Sequence, residues 1–127
     1  MIRPAAAAIA ALALAGVAVL HSGESDAATV YPTRVQAVGD EFTLRLSRTV
    51  VGKRLVRIEL VNFGEDPHDL RLRRFGGTRI FSIGETLPGA QQAKTFRLPW
   101  GRYRVWCNVD SHREWGMQAT LRVRRAS

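Results

Sequence analysis

Residues 103–123 read Tyr103-Arg104-Val105-Trp106-Cys107-Asn108-Val109-Asp110-Ser111-His112-Arg113-Glu114-Trp115-Gly116-Met117-Gln118-Ala119-Thr120-Leu121-Arg122-Val123. On either side of a polar middle, the chain alternates with period two. Tyr103, Val105 and Cys107 alternate with Arg104 and Trp106. Met117, Ala119, Leu121 and Val123 alternate with Gln118, Thr120, Arg122 and Arg124. A strand with one buried and one wet face reads this way. The stretch predicts strand, loop, strand. Cys107 closes the first strand and Met117 opens the second, both on the inward parity.

The same alternation recurs earlier. Phe42, Leu44 and Leu46 alternate with Thr43, Arg45 and Ser47; Val56, Ile58 and Leu60 with Arg57, Glu59 and Val61; Leu70 and Leu72 with Arg71 and Arg73; Phe96 and Leu98 flank Arg97. Turn signals at Val38-Gly39-Asp40, Val51-Gly52-Lys53, Phe75-Gly76-Gly77, Leu87-Pro88-Gly89 and Pro99-Trp100-Gly101 separate them. Short strands with turns between them predict a small antiparallel sandwich. Residues 76–92 are the least strand-like and are expected to hold a long connection or a short helix.

A chain of 127 residues with 46% hydrophobic residues has material for one packed domain. That excludes a multidomain oxidase or a dinucleotide enzyme with a separate substrate domain. Lys+Arg number 19 against 11 Asp+Glu, a formal net charge of +8, and only Lys53 and Lys94 are lysines. The arginines fall mostly on outward strand parities, as on a solvated basic face. Nucleic-acid binding would want a recognition helix or exposed aromatics among the basic residues, so no nucleic-acid partner is expected. A basic face can steer a domain toward an acidic protein or an anionic envelope surface.

Arg3 precedes an apolar run over residues 5–20 (AAAAIAALALAGVAVL), which ends in polar residues and the small residues Ser25 and Ala27. This is the pattern of a secretory signal over residues 1–27, and the run is short for a spanning helix of about 20 residues. The expected domain is residues 28–127, secreted or periplasmic at the cell-envelope exterior, with no membrane span once the signal is cleaved. One cysteine cannot form an intrachain disulfide, and a free thiol in an oxidising compartment is at risk unless something occupies it.

Residues 28–127 contain His68, Cys107, His112 and Met117, and no other His, Cys or Met. Singly each has an ordinary reading: core methionine, small buried cysteine, surface or capping histidine. Together they fit one ligand set, two imidazoles and a thiolate with a weak axial thioether, which is that of a mononuclear electron-transfer copper. Zinc prefers four strong ligands and takes methionine poorly. An iron–sulfur cluster wants more thiolates. A cysteine nucleophile would leave Met117 without a role. One loop from Cys107 to Met117 can present three of the ligands, and His68, at the start of another strand behind Asn62, Gly64 and Pro67, can close the site.

Three stretches, Val61-Asn62-Phe63-Gly64-Glu65-Asp66-Pro67-His68-Asp69-Leu70, Gly101-Arg102-Tyr103-Arg104-Val105-Trp106-Cys107 and the Cys107–Met117 loop, resemble the cupredoxins, the plastocyanin-like blue copper proteins. The resemblance runs over roughly residues 35 to 125. It implies an all-β Greek-key β-sandwich and one type 1 copper held by His68, Cys107, His112 and Met117. It further implies single-electron shuttling between redox partners by Cu(II)/Cu(I) cycling, with no enzymatic turnover. The alternative function on the same four residues is an extracytoplasmic copper chaperone or reservoir. The Cys107-to-His112 segment is longer than in plastocyanins, as in azurin-type cupredoxins, and Asp69 stands where plastocyanins have asparagine; loop length and hydrogen bonds around the ligands tune potential. A monomer is expected. Its partners would be redox proteins, acidic ones among them, docking near His112. His112 is expected to reach the surface inside an apolar rim of Trp115, Pro67 and Pro88. Asn108 and Asp69 are candidates to tie the two ligand loops together, and Trp106 is expected to act as cover.

Overall fold

The computed structural model describes Gly16 and residues 28–127, so the expected signal segment, Gly16 aside, lies outside the described residues. Nine strands follow in order: β1 (Thr33–Asp40), β2 (Thr43–Leu46), β3 (Val50–Val51), β4 (Leu55–Asn62), β5 (His68–Arg74), β6 (Ile80–Thr86), β7 (Gln91–Arg97), β8 (Gly101–Trp106) and β9 (Gln118–Val123). They form a four-stranded sheet in the order β2-β1-β4-β7 and a five-stranded sheet in the order β3-β9-β8-β5-β6. The chain crosses repeatedly between the two, giving a Greek-key sandwich. No helix among the described residues is long and apolar enough to cross a membrane.

The period-two residues supply the core. Val35, Ala37, Leu44, Val56, Ile58 and Leu60 of one sheet meet Leu70, Leu72, Phe81, Ile83, Tyr103, Val105, Leu121 and Val123 of the other, all buried. Burying one such side chain contributes roughly 1.5–3 kcal/mol. The Tyr103 hydroxyl, at the bottom of this core, donates to the Pro99 carbonyl at 2.7 Å.

Three expectations need correction. The sheets are mixed, because β1 runs parallel to β4 and β3 parallel to β9. Residues 76–92 hold β6 and the start of β7 around the Leu87–Gly89 turn. Their alternation was hidden because β7 lies at a sheet edge and is exposed from Gln91 to Thr95. Gly39 lies within β1, and the chain turns at Glu41-Phe42 instead, with Phe42 at φ 55°. That conformation is uncommon for a bulky residue, and no local residue preference announces it.

Candidate metal centre

The site lies at the end of the sandwich where the β1–β2 turn, the β4–β5 connection and the β8–β9 loop meet. The β4–β5 connection is tied down by Asn62, which is fully buried. Its side-chain amide donates to the carbonyls of Asp66 and Thr86 at 2.8 and 2.9 Å, and its Oδ1 accepts the Gly64 N–H at 2.8 Å. This side-chain turn fixes the backbone that delivers His68, as the Asn-x-Gly pattern anticipated.

The β8–β9 loop is closed by its own backbone. The Cys107 N–H donates to the Met117 carbonyl at 3.1 Å, Met117 to His112 at 3.0 Å, and His112 to Val109 at 3.1 Å. Trp115 and Gly116 bond back to Ser111 and Arg113, both at 3.1 Å. The segment is therefore a compact set of turns, with Asp110 and Gly116 at positive φ. The Asn108 N–H donates to Asp69 Oδ1, which joins the two ligand-bearing loops, the role expected of that pair.

These supports bring the four singled-out residues together. His68, Cys107 and Met117 are fully buried and His112 is 1% exposed. The histidines turn Nδ1 toward each other at 3.3 Å, and Cys107 Sγ stands 3.9 Å from the first and 3.7 Å from the second. The three donor atoms lie within 4.8 Å of one another. Met117 joins them from the Gly39 side: a Cβ at Gly39 would stand 3.0 Å from His68 Cδ2 and 3.5 Å from Met117 Cε. A Cβ at Gly39 would press on the His68 ring, so the glycine eases the close approach of β1.

The chemistry of the cluster fits a soft cation. Burial pushes the Cys107 thiol up; backbone N–H groups of Asp69 and Val109 pull it down, and the Asp69 carboxylate opposes them. A buried thiol of this kind gives up its proton when a metal takes the proton's place. Burial, and next the neighbouring His112, lower the His68 pKa, against the carboxylates of Glu41, Asp66 and Asp40. The imidazole is thus held neutral, the form that binds metal. His68 Nε2 is buried with no hydrogen-bond partner in the protein, while Nδ1 faces the thiol.

One expectation at the site needs correction, the placement of His112. It does not reach the surface. The Phe42 ring meets it edge-on at 5.2 Å, Trp115 lies 5.9 Å away, and its Nε2 stands 3.4 Å from Asp66 Oδ2. The exposed groups at this end are Phe63, Leu87 and Trp115, at 69%, 59% and 57%. Trp115 thus belongs to the rim as expected, and Pro88 in the Leu87–Gly89 turn is also exposed. Sequence reasoning missed Phe42, Asp66, Glu41 and Gly39 as contributors. The Asp66-Pro67-His68 run was legible, but its carboxylate pairs with the other histidine. Trp106 points to the opposite face from Cys107 and is 4% exposed, covered by arginines.

Neither a family model nor a curated protein matches the sequence. Solved structures match the fold. Auracyanin A, described as a "blue" copper protein from Chloroflexus aurantiacus, has 18% identity and a TM-score of 0.59 over 73% of this chain and 99% of its own. Rusticyanin from Thiobacillus ferrooxidans has 15% identity and a TM-score of 0.61 over 76% and 79%. The blue copper oxidase of Nitrosomonas europaea has 16% identity and a TM-score of 0.57 over 76% of this chain and 40% of its own.

Proposed function

Starting from a chain with the cupredoxin fold, we propose that this protein is an exported blue copper protein that carries single electrons between redox proteins. The observation that carries the reading is the convergence of His68 Nδ1, His112 Nδ1 and Cys107 Sγ, all buried and all within 4.8 Å of one another. His68, Cys107 and His112 are the residues that would hold copper strongly, with the Met117 thioether as a weak fourth donor. Held by these residues, copper would supply one-electron chemistry between Cu(II) and Cu(I).

The protein's own groups do the rest. The closed β8–β9 loop and the Asn62 turn hold the donors in one arrangement, so little has to move when the charge changes. Phe42, Trp115 and the core exclude water. Asp66 orients the His112 ring through Nε2, as carboxylates do for metal-bound histidines. The exposed Phe63, Leu87 and Trp115 give redox partners an apolar surface near His112.

Burial of all four donors also favours a carrier over a chaperone or reservoir, which must present its ion to another protein. It likewise leaves no access for a substrate, in keeping with a non-enzymatic role. Residues 1–27 are proposed as the export signal and residues 28–127 as the monomeric working domain, on the pattern of their sequence. Adding Cu(II) to the metal-free protein tests the reading. An intense visible band and a reversible one-electron wave by voltammetry are expected; a colourless or electrochemically silent copper complex refutes it.

A further inference from the structure

The outer face of the five-stranded sheet carries arginines in register. Arg73 of β5 pairs with Arg104 of β8, and Arg102 of β8 pairs with Arg122 of β9. Like charges directly opposite each other on a sheet cost stability. Among the described residues, Arg71 is the one arginine with a carboxylate partner within 4.0 Å, that of Asp69. The rest of this face is uncompensated.

Two aromatic rings organise the charge. The Arg102 and Arg104 guanidinium carbons stand 4.7 and 5.2 Å from the centroid of the Phe75 ring. Those of Arg113 and Arg73 stand 4.8 and 6.0 Å from the Trp106 ring. A guanidinium packed on a ring is stabilised there and keeps its N–H fork for a carboxylate. An open cleft of about 450 Å³ adjoins these stacks, lined by Arg73, Arg74, Phe75, Arg104, Arg113 and two glycines, with no carboxylate in its wall.

Building on the electron-carrier reading, we infer that this arginine face is a second docking surface, separate from the apolar end near His112, and that its occupant is an acidic redox protein. Charge complementarity selects an anionic occupant. The rings favour a protein over a lipid surface: Trp106 is 4% exposed, and Phe75, 43% exposed, is held by the Arg102 and Arg104 guanidiniums against its ring, whereas a membrane-binding face frees its apolar side chains to insert. Trp106 is the peptide neighbour of Cys107, so a partner seated on this face lies one residue from the thiol. The outer face of the other sheet is a natural control. Arg34 and Arg57 pair there, but Glu59 stands among them.

The test titrates labelled poly-L-glutamate with metal-free protein at low salt, comparing two variants of equal charge change. Arg73→Glu with Arg102→Glu and Arg104→Glu alters the proposed face; Arg34→Glu with Arg45→Glu and Arg57→Glu alters the other. The first is expected to lose at least about tenfold in affinity and the second less than about threefold. Should the first fail to fold, as thermal melting would reveal, glutamine at the same three positions carries the comparison. Equal losses in both would overturn the proposal, because net charge alone would then explain binding. So would binding to phosphatidylglycerol vesicles without binding to poly-L-glutamate. Since the protein is metal-free, failure here leaves the copper reading standing, and a negative copper titration leaves this result interpretable.

Discussion

Gly64→Ala probes how rigidly the site is held. A Cβ there would stand 2.8 Å from His68 Nε2, 2.5 Å from Glu41 Oε1 and 3.3 Å from Asn62 Oδ1. Ordinary contact begins near 3.4 Å, so the imidazole must retreat by about 0.6 Å. Glu41 can swing toward solvent, at the loss of its hydrogen bonds to the Glu65 and Asp66 N–H groups. His68 has no such freedom, being fully buried with Nδ1 already 3.3 Å from His112. Overpacking of this kind costs about 1–3 kcal/mol, and each kcal/mol lowers the Tm of a domain this size by about 4–8 °C. Displacing a ligand's support typically weakens metal binding by about 10–100-fold. Circular dichroism melts of the metal-free protein and a chelator competition followed by visible absorbance measure the two effects. Gly84→Ala is the control, since a Cβ there meets nothing within 4 Å. A Gly64→Ala protein with unchanged Tm and unchanged copper affinity would refute the claim that packing fixes the His68 ring.

Other substitutions test other parts of the account. Met117→Leu, nearly isosteric in a fully buried position, is expected to cost less than about 1.5 kcal/mol, retain copper and raise the potential in voltammetry as an axial donor is lost; loss of all copper would remove Met117 from the ligand set. Cys107→Ser is expected to abolish the intense visible band without unfolding the sandwich, read by absorbance after adding Cu(II). Tyr103→Phe removes the bond to the Pro99 carbonyl, a loss of about 0.5–1.5 kcal/mol in denaturant titrations. Burial raises the Tyr103 pKa above 10.0, with Arg74, Arg54 and Arg79 opposing. The unfolded chain therefore releases this proton first, and stability held below pH 10 is lost as pH rises beyond it. The phenylalanine variant is expected to lack that part of the alkaline decline in pH-dependent melts.

The strands that carry the site were legible because each buries one face. Tyr103, Val105 and Cys107, and Met117, Leu121 and Val123, are buried as their parity requires, Trp106 being the outward residue that is buried as well. The ligand cluster was legible because the domain holds so few His, Cys and Met residues. What escaped was set by neighbours distant in sequence. β6 and β7 meet at the Leu87–Gly89 turn, yet belong to different sheets, and β7 has solvent-exposed residues along most of its length, so the burial signal fades. The parallel pairings of β1 and β3 depend on register with strands far along the chain. The burial of His112 depends on Phe42, whose positive φ turns its ring back over the site, and on Asp66 from another loop. No pattern within the Cys107–Met117 loop encodes either contact.

The parallel pairings have a consequence for how the molecule is made. Val51 lies opposite Val123 and Thr33 opposite Val56, and a parallel pair cannot be closed by a tight hairpin. Such topologies fold slowly, on the order of milliseconds to seconds. Until β9 docks against β8, the loop that carries His112 and Met117 is not closed over Cys107. Its vulnerability to oxidants and to stray metal is therefore greatest in the newly made, half-assembled polypeptide, and the finished sandwich protects it by enclosure.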